Sequence, residues 1–378
     1  MPVIISEVPS NKAPLKVACP DETLFPTELK LKDGTQIWRS LPQPDRIALS
    51  AVLTEEHFGK KGKKPEFDVG LIKAMALRLA DVQKKHNETI APVSQDGIPR
   101  KFAIFIGDRD ATLDVRLKSG KIADYPQKAW TIRFEFAPRK AQAYGMEEFT
   151  GLLVSAVQTV TGAYKLLRDC RVSRLDVALD YAGVRPADLV VTAKNGGKRW
   201  EVFGRDGVLE TLYLFGTKSP PKKKLKAPPR KPYGNLIARI YDRDRERAAM
   251  GKPPPYSHCT VTRLEVVRTR FDKPLYLEGL ESLGDQFARV GLSWGRTVIK
   301  TQESHRWERY LACVRALGPL EAARVMGLPG PTVKAYAAAL KKHPSDLLLP
   351  ADVWKQWDMG IAVTGLAELV TKAKSVGL

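Results

Sequence analysis

Apolar and charged residues alternate with period two in three short runs. These are Arg174-Leu175-Asp176-Val177-Ala178-Leu179-Asp180, Arg239-Ile240-Tyr241-Asp242-Arg243 and Arg263-Leu264-Glu265-Val266-Val267-Arg268. Each predicts a strand with one buried and one polar face. The polar faces carry Arg174, Asp176, Ala178 and Asp180, then Arg239, Tyr241 and Arg243, then Arg263 and Glu265. Further strands are predicted at 47–53, 102–106, 112–117 and 130–136, the second and third of these parted by a turn at 107–110. Two more run from Arg199 and through Phe215, with a turn at 204–207 between them. Helical spacing marks 69–86, whose last turn gathers lysines where the helix dipole favours them, and 146–167. Residues 29–35 form a weak hairpin around the turn dipeptide Asp33-Gly34. Strands and helices in this order predict an α+β fold, a mostly antiparallel central sheet with helices on one face and a C-terminal helical domain.

The pattern divides the chain into an accessory N-terminal arm over 1–41, a sheet-bearing domain over 42–285 and a helical domain over 286–378. Within the last, residues 321–336 read as a helix-turn-helix. Gly327 permits the turn, and Thr332 and Lys334 stand near the start of a recognition helix. An ordinary helical hairpin has the same pattern. Between 216 and 234 prolines alternate with Lys222, Lys223, Lys224, Lys226, Arg230 and Lys231. Such a segment cannot bond into a ladder, and it reads as an extended clamp on a phosphate backbone or as a solvated insertion.

Composition narrows the partners. A formal net charge of +20 over 378 residues implies a polyanion, nucleic acid before membrane. No apolar run approaches the roughly 20 residues that span a bilayer, and the first residues lack the pattern of a signal peptide. The expectation is a cytoplasmic protein with no membrane association. Cys19, Cys170, Cys259 and Cys313 are far apart in sequence and read as reduced, mostly buried thiols.

If the three runs share a sheet, carboxylates, a tyrosine and arginines meet on one surface. Carboxylates suit Mg²⁺ or Mn²⁺, with Asp176 and Glu265 the preferred ligands and Asp180 the third. Arg174 and Arg263 offer forks for phosphate oxygens. Tyr241, ringed by Arg239 and Arg243, is the candidate nucleophile, with Tyr164, Tyr181 and Tyr213 as competitors. A cross-strand ladder of ion pairs would use the same alternation.

The order R-x-D-x-x-x-D, R-I-Y-D-basic, R-x-E resembles the trans-acting replication initiation factors of rolling-circle plasmids and phages, whose relatives include relaxases of some integrative conjugative elements. The likeness is best over 128–271. It implies a site-specific endonuclease and ligase in 42–285 that attacks origin DNA, single-stranded or supercoiled, through Tyr241, leaving a 5′-phosphotyrosine and a free 3′-hydroxyl. The family usually has lysine two residues after the tyrosine; Arg243 stands there instead and can hold a phosphate but hardly move a proton. No two of the histidines are separated by one residue, and the chain lacks a G-x-x-x-x-G-K-[ST] loop. A host helicase and polymerase would therefore complete replication, and a homodimer fits. The alternatives are a conjugative relaxase with the same chemistry and a non-enzymatic DNA-binding regulator.

Overall fold

The computed structural model describes residues 16–31, 33–60, 69–87, 89, 91–107, 111–122, 125–193, 198–203, 209–215, 236–269, 271–294, 309–310, 313, 322, 324–332, 335–336, 347–348 and 350–375. In chain order the elements are β1 (Thr27–Lys30), β2 (Gln36–Arg39), β3 (Gln43–Val52), α1 (Val69–Asn87), β4 (Lys101–Ile106), β5 (Ala111–Ile122) and β6 (Tyr125–Phe136). Then follow α2 (Pro138–Val157), α3 (Val160–Asp169), β7 (Arg171–Ala182), β8 (Leu189–Ala193), β9 (Lys198–Phe203), β10 (Leu209–Phe215), β11 (Leu236–Asp242), α4 (Arg243–Ala249), β12 (Val261–Arg268) and β13 (Val290–Trp294). Three helices close the chain: α5 (Pro350–Trp354), α6 (Trp357–Val363) and α7 (Leu366–Lys374). The fold is α+β, with large antiparallel sheet structure and a helical C-terminal part.

The elements group into two compact units interleaved along the chain. One comprises Met1–Pro42, Ala178–Val266 and Asp285–Lys355; the other comprises Gln43–Val177, Val267–Gly284 and Gln356–Leu378.

In the second unit the strands order as β4-β5-β6-β3, followed by the first half of β7. Alternation sends Phe102, Ile104 and Ile106, Leu113, Val115 and Leu117, Ile132, Phe134 and Phe136, and Ile47, Leu49 and Ala51 to one buried face. Phe149 of α2 packs there, edge-on to Phe134 with ring centroids 5.3 Å apart. Among the described residues β4 has one strand neighbour, and α1 supplies backbone partners on its other edge. Gln83 Oε1 accepts from Ala103 N, Asn87 Oδ1 accepts from Phe105 N, and Asn87 Nδ2 donates to Ala103 O. The expected helix over 146–167 is two helices. Gln158 adopts φ 66°, and the Thr159 side chain accepts from Gly162 N to cap α3. A Cβ at Gly162 would lie 2.1 Å from the His57 carbonyl oxygen, so the close approach requires glycine. Helix α7 packs on α2 and α3, and the Trp357 indole of α6 donates to Leu280 O at 2.7 Å.

In the first unit the second half of β7 leads into the order β12-β11-β10-β9. The weak N-terminal hairpin is present as β1–β2, pairing Thr27 with Arg39 through Lys30 with Gln36. It does not behave as an accessory arm: β2 pairs with β7 at Trp38↔Ala182 and Arg39↔Tyr181, and Phe25 is fully buried against Ala182 and Val261. Segment 286–378 also begins with a strand, because β13 pairs with β8. The reversal expected near Gly327 is seen: Gly327 has φ 60°, its N–H bonds Arg324 O, and helix resumes at 330.

Candidate functional site

Strand register, more than any single residue, builds the polar face of the first unit. In β11–β12 Arg239 lies opposite Glu265 and Tyr241 opposite Arg263. Directly opposed residues of an antiparallel pair share a face, so the four side chains stand together. Asp180 joins them from β7. Arg263 Nε and Nη2 donate to Asp180 Oδ1 and Oδ2 at 2.7 and 2.8 Å, a bidentate fork. Arg239 Nη2 donates to Glu265 Oε2 at 2.5 Å, and the Tyr241 hydroxyl donates to the same oxygen at 3.2 Å. The Arg239 guanidinium also lies 4.8 Å from the Tyr241 ring centroid. Burial alone would lower the pKa of Arg239, but Tyr241 and Glu265 outweigh it and raise it, so the guanidinium is firmly protonated.

Four of these residues are closed to solvent, whereas the Arg239 side chain keeps 33% of its exposure. Tyr241 is 4% exposed, Asp180 3%, Arg263 1% and Glu265 0%. Arg263, expected to hold DNA, therefore reaches no nucleic acid as placed; its fork is taken by Asp180. Asp180 lies in β7, two residues before its end.

Tyr181, next to Asp180 in β7, points to the opposite face and donates to Leu347 O at 3.1 Å. Burial raises its pKa, against the influence of Arg39. Of the other competing tyrosines, Tyr213 stands opposite Arg239 in β10 and is half-buried, whereas Tyr164 lies on α3.

Arg243 departs from expectation. The strand ends at Asp242, whose Oδ1 accepts from Asp244 N and Arg245 N and caps α4. Arg243 is the first residue of that helix and pairs with Glu246 at 2.9 Å instead of standing on the strand face with Tyr241.

Asp176 belongs to the second unit. Arg174 grips it through Nε at 2.9 Å and Nη2 at 2.6 Å, and Arg174 Nη1 lies 3.5 Å from Glu135 Oε1. Burial opposes ionisation of Glu135, but Arg133, Arg46 and Arg174 overcome it and hold its carboxyl below the usual range.

Each carboxylate assigned to a metal thus faces a guanidinium: Asp176 faces Arg174, Asp180 faces Arg263 and Glu265 faces Arg239. Among the described residues no group of three or more His, Cys, Asp or Glu side chains could hold a metal ion. A divalent cation would have to displace an arginine, so the arrangement fits an ion-pair ladder better than a cation cage.

Lys222, Lys223, Lys224, Lys226, Arg230, Lys231 and Lys334 lie outside the described residues. Thr332 is helical and half-buried. His258 is exposed, and the four cysteines are free thiols. The sequence reading missed the basic partners of Glu135; the clean alternation through Arg133 and Glu135 was the signal that could have found them. Among the described residues no helix is long and apolar enough to cross a membrane. No family model matches the chain, and no curated protein matches it.

Proposed function

We propose that the chain is a cytoplasmic DNA-nicking and strand-joining transesterase that acts through Tyr241 in rolling-circle replication. The observation that supports this is the Tyr241 hydroxyl on Glu265, with the Arg239 guanidinium over its ring. Glu265 takes the phenol proton as the tyrosine oxygen attacks phosphorus. The Oη–P bond forms, the P–O3′ bond breaks, and the leaving 3′ oxygen picks up a proton. Arg239 balances the charge that gathers on the phosphoryl oxygens. Attack by the 3′-hydroxyl on the phosphotyrosine reverses the step and rejoins the strand. No step is assigned to Mg²⁺ or Mn²⁺, whose requirement is a separate proposal. At 4% exposure Tyr241 meets a phosphate only after the surface over it opens, so the reading requires an opening step.

That same burial favours a second reading, a DNA-binding regulator in which the network is an ion-paired polar core. The test incubates wild type and Tyr241→Phe with oligonucleotides tiled across the cognate replicon, with and without Mg²⁺ or Mn²⁺, and looks for an SDS-resistant adduct. The expected result is an adduct lost in the variant. An adduct that survives moves the nucleophile to Tyr213, the half-buried tyrosine on the same face. No adduct on any sequence selects the regulator. Cleavage confined to a transfer origin would select the relaxase alternative.

A further inference from the structure

The face of the second unit's sheet turned away from its apolar core carries basic residues in register across three neighbouring strands. Lys101 of β4 lies opposite Arg116 of β5, and Arg116 lies opposite Arg133 of β6. The row continues into β3 as hydroxyls: Ser50 lies opposite Arg133 and bonds Ser173 Oγ at 2.9 Å. Lys118 stands two residues beyond Arg116 and shares its face. Like charges placed directly opposite each other destabilise a sheet, and neighbouring strands are only about 4.8 Å apart. A run of cations in register is therefore a cost to the fold that an anionic ligand would remove.

Lys101, Arg116 and Lys118 are exposed and make no ion pair among the described residues. Arg133 is the exception, since it binds Glu135 at 2.9 Å and Ser173 at 2.6 Å. The acidic residues of this face, Asp114 and Glu135, lie opposite each other one row along; Glu135 engages Arg133, and no ion pair joins Asp114 to Lys101, Arg116 or Lys118 among the described residues. At the β4 edge a pocket of about 200 Å³ opens, lined in part by Gln83, Lys101, Asp114 and Arg116.

We infer that the row Lys101–Arg116–Arg133, with Lys118, is a track for the phosphate backbone of a nucleic-acid strand. The face is mostly polar, with Phe105 of β4 and Val52 of β3 half-buried on it. Among the described residues, none of the exposed large apolar side chains, Val69, Leu77, Val93, Tyr144, Val160, Met250, Val325 and Met359, lies on β3, β4, β5 or β6. Binding is thus carried by charge and is independent of sequence. The track is separate from Tyr241 and does not depend on that residue being a nucleophile.

The test measures anisotropy of a fluorescein-labelled oligothymidylate against salt for wild type, for the triple variant Lys101→Gln/Arg116→Gln/Lys118→Gln, and for the control Lys84→Gln/Lys85→Gln. The control removes exposed charge from α1, off the sheet face. Each phosphate contact contributes about 0.7 to the slope of log affinity against log salt for a single strand. The triple variant should lose about 2 from that slope and bind about a hundredfold more weakly at about 0.1 M salt relative to a 1 M reference. The control should keep the wild-type slope, whatever the adduct assay gives. An unchanged slope in the triple variant, or an equal loss in the control, overturns the track. So does loss of binding to phosphatidylserine vesicles with oligonucleotide binding intact, which would make the surface a membrane contact.

Discussion

Two charged surfaces of this protein solve opposite problems. On β7, β11 and β12 the first unit buries Asp180, Arg263 and Glu265 almost completely and matches each with a partner of opposite sign. On β4, β5 and β6 the second unit leaves Lys101 and Arg116 exposed and aligned with cations of the same sign. A buried charge has lost its water and must find its compensation inside the protein. An exposed one keeps its hydration and is available to a ligand. Both surfaces arise from the same period-two alternation, so what separates them is whether the face is covered, and that is invisible in one strand's sequence.

The comparison is broken most forcefully at Arg263. Arg263→Met leaves the Asp180 carboxylate buried without its fork, which should cost about 3–5 kcal/mol, measured as the shift in urea-induced unfolding. The double variant Arg263→Met/Asp180→Asn removes the orphaned charge and should recover most of that loss. A single variant as stable as wild type would mean that the pair is solvated and the face open. Tyr241→Phe, which gives up one hydrogen bond while Glu265 keeps Arg239, should cost only about 1 kcal/mol. Loss of its adduct could then not be blamed on unfolding.

How far the sequence reached differs between these surfaces. The strands and their polar faces were legible because alternation is a local property, and the expected strand positions match β3 to β7 and β9 to β12 closely. The pairing of Arg263 with Asp180 was not legible: it needs β7 beside β12, a neighbour relation between residues 83 positions apart in the chain. Arg263 consequently reads as a phosphate fork, as does Arg174, and Arg239 as a cation beside the nucleophile, when the anions they bind are Asp180, Asp176 and Glu265. Arg243 was misplaced by a local signal that was present. Asp at 242 followed by a run of charged helix formers is a capping pattern, and the strand alternation was carried one residue too far across it. The cationic row was missed for a different reason. Lys101, Arg116 and Arg133 are scattered over 32 positions and only register assembles them.

The smallest expected effect sharpens the comparison from between its extremes. Asp244, in the first turn of α4, is half-buried, has Oδ1 shielded from water without a hydrogen bond, and has Asp242 as a like-charged neighbour. Burial, then Asp242, pushes its carboxyl up to about 6 from an ordinary 3.8, against a backbone hydrogen bond at Val261 and the charges of Arg185 and Arg243. A carboxyl raised on folding binds its proton more tightly in the native state. Its stabilising contribution is therefore present below about pH 4 and lost as pH rises through about 6. Asp244→Asn lacks this loss, so thermal melts should show the variant gaining on wild type between about pH 4 and 6 and holding its lead at pH 7. The loss of a negative charge near a helix N-terminus trims the gain by a few tenths of a kcal/mol. A difference that is flat across this window would show that Asp244 ionises normally. A difference that moves against the variant as pH rises would show that Arg185 and Arg243 already compensate the charge, which would place α4 with the paired surface of the first unit.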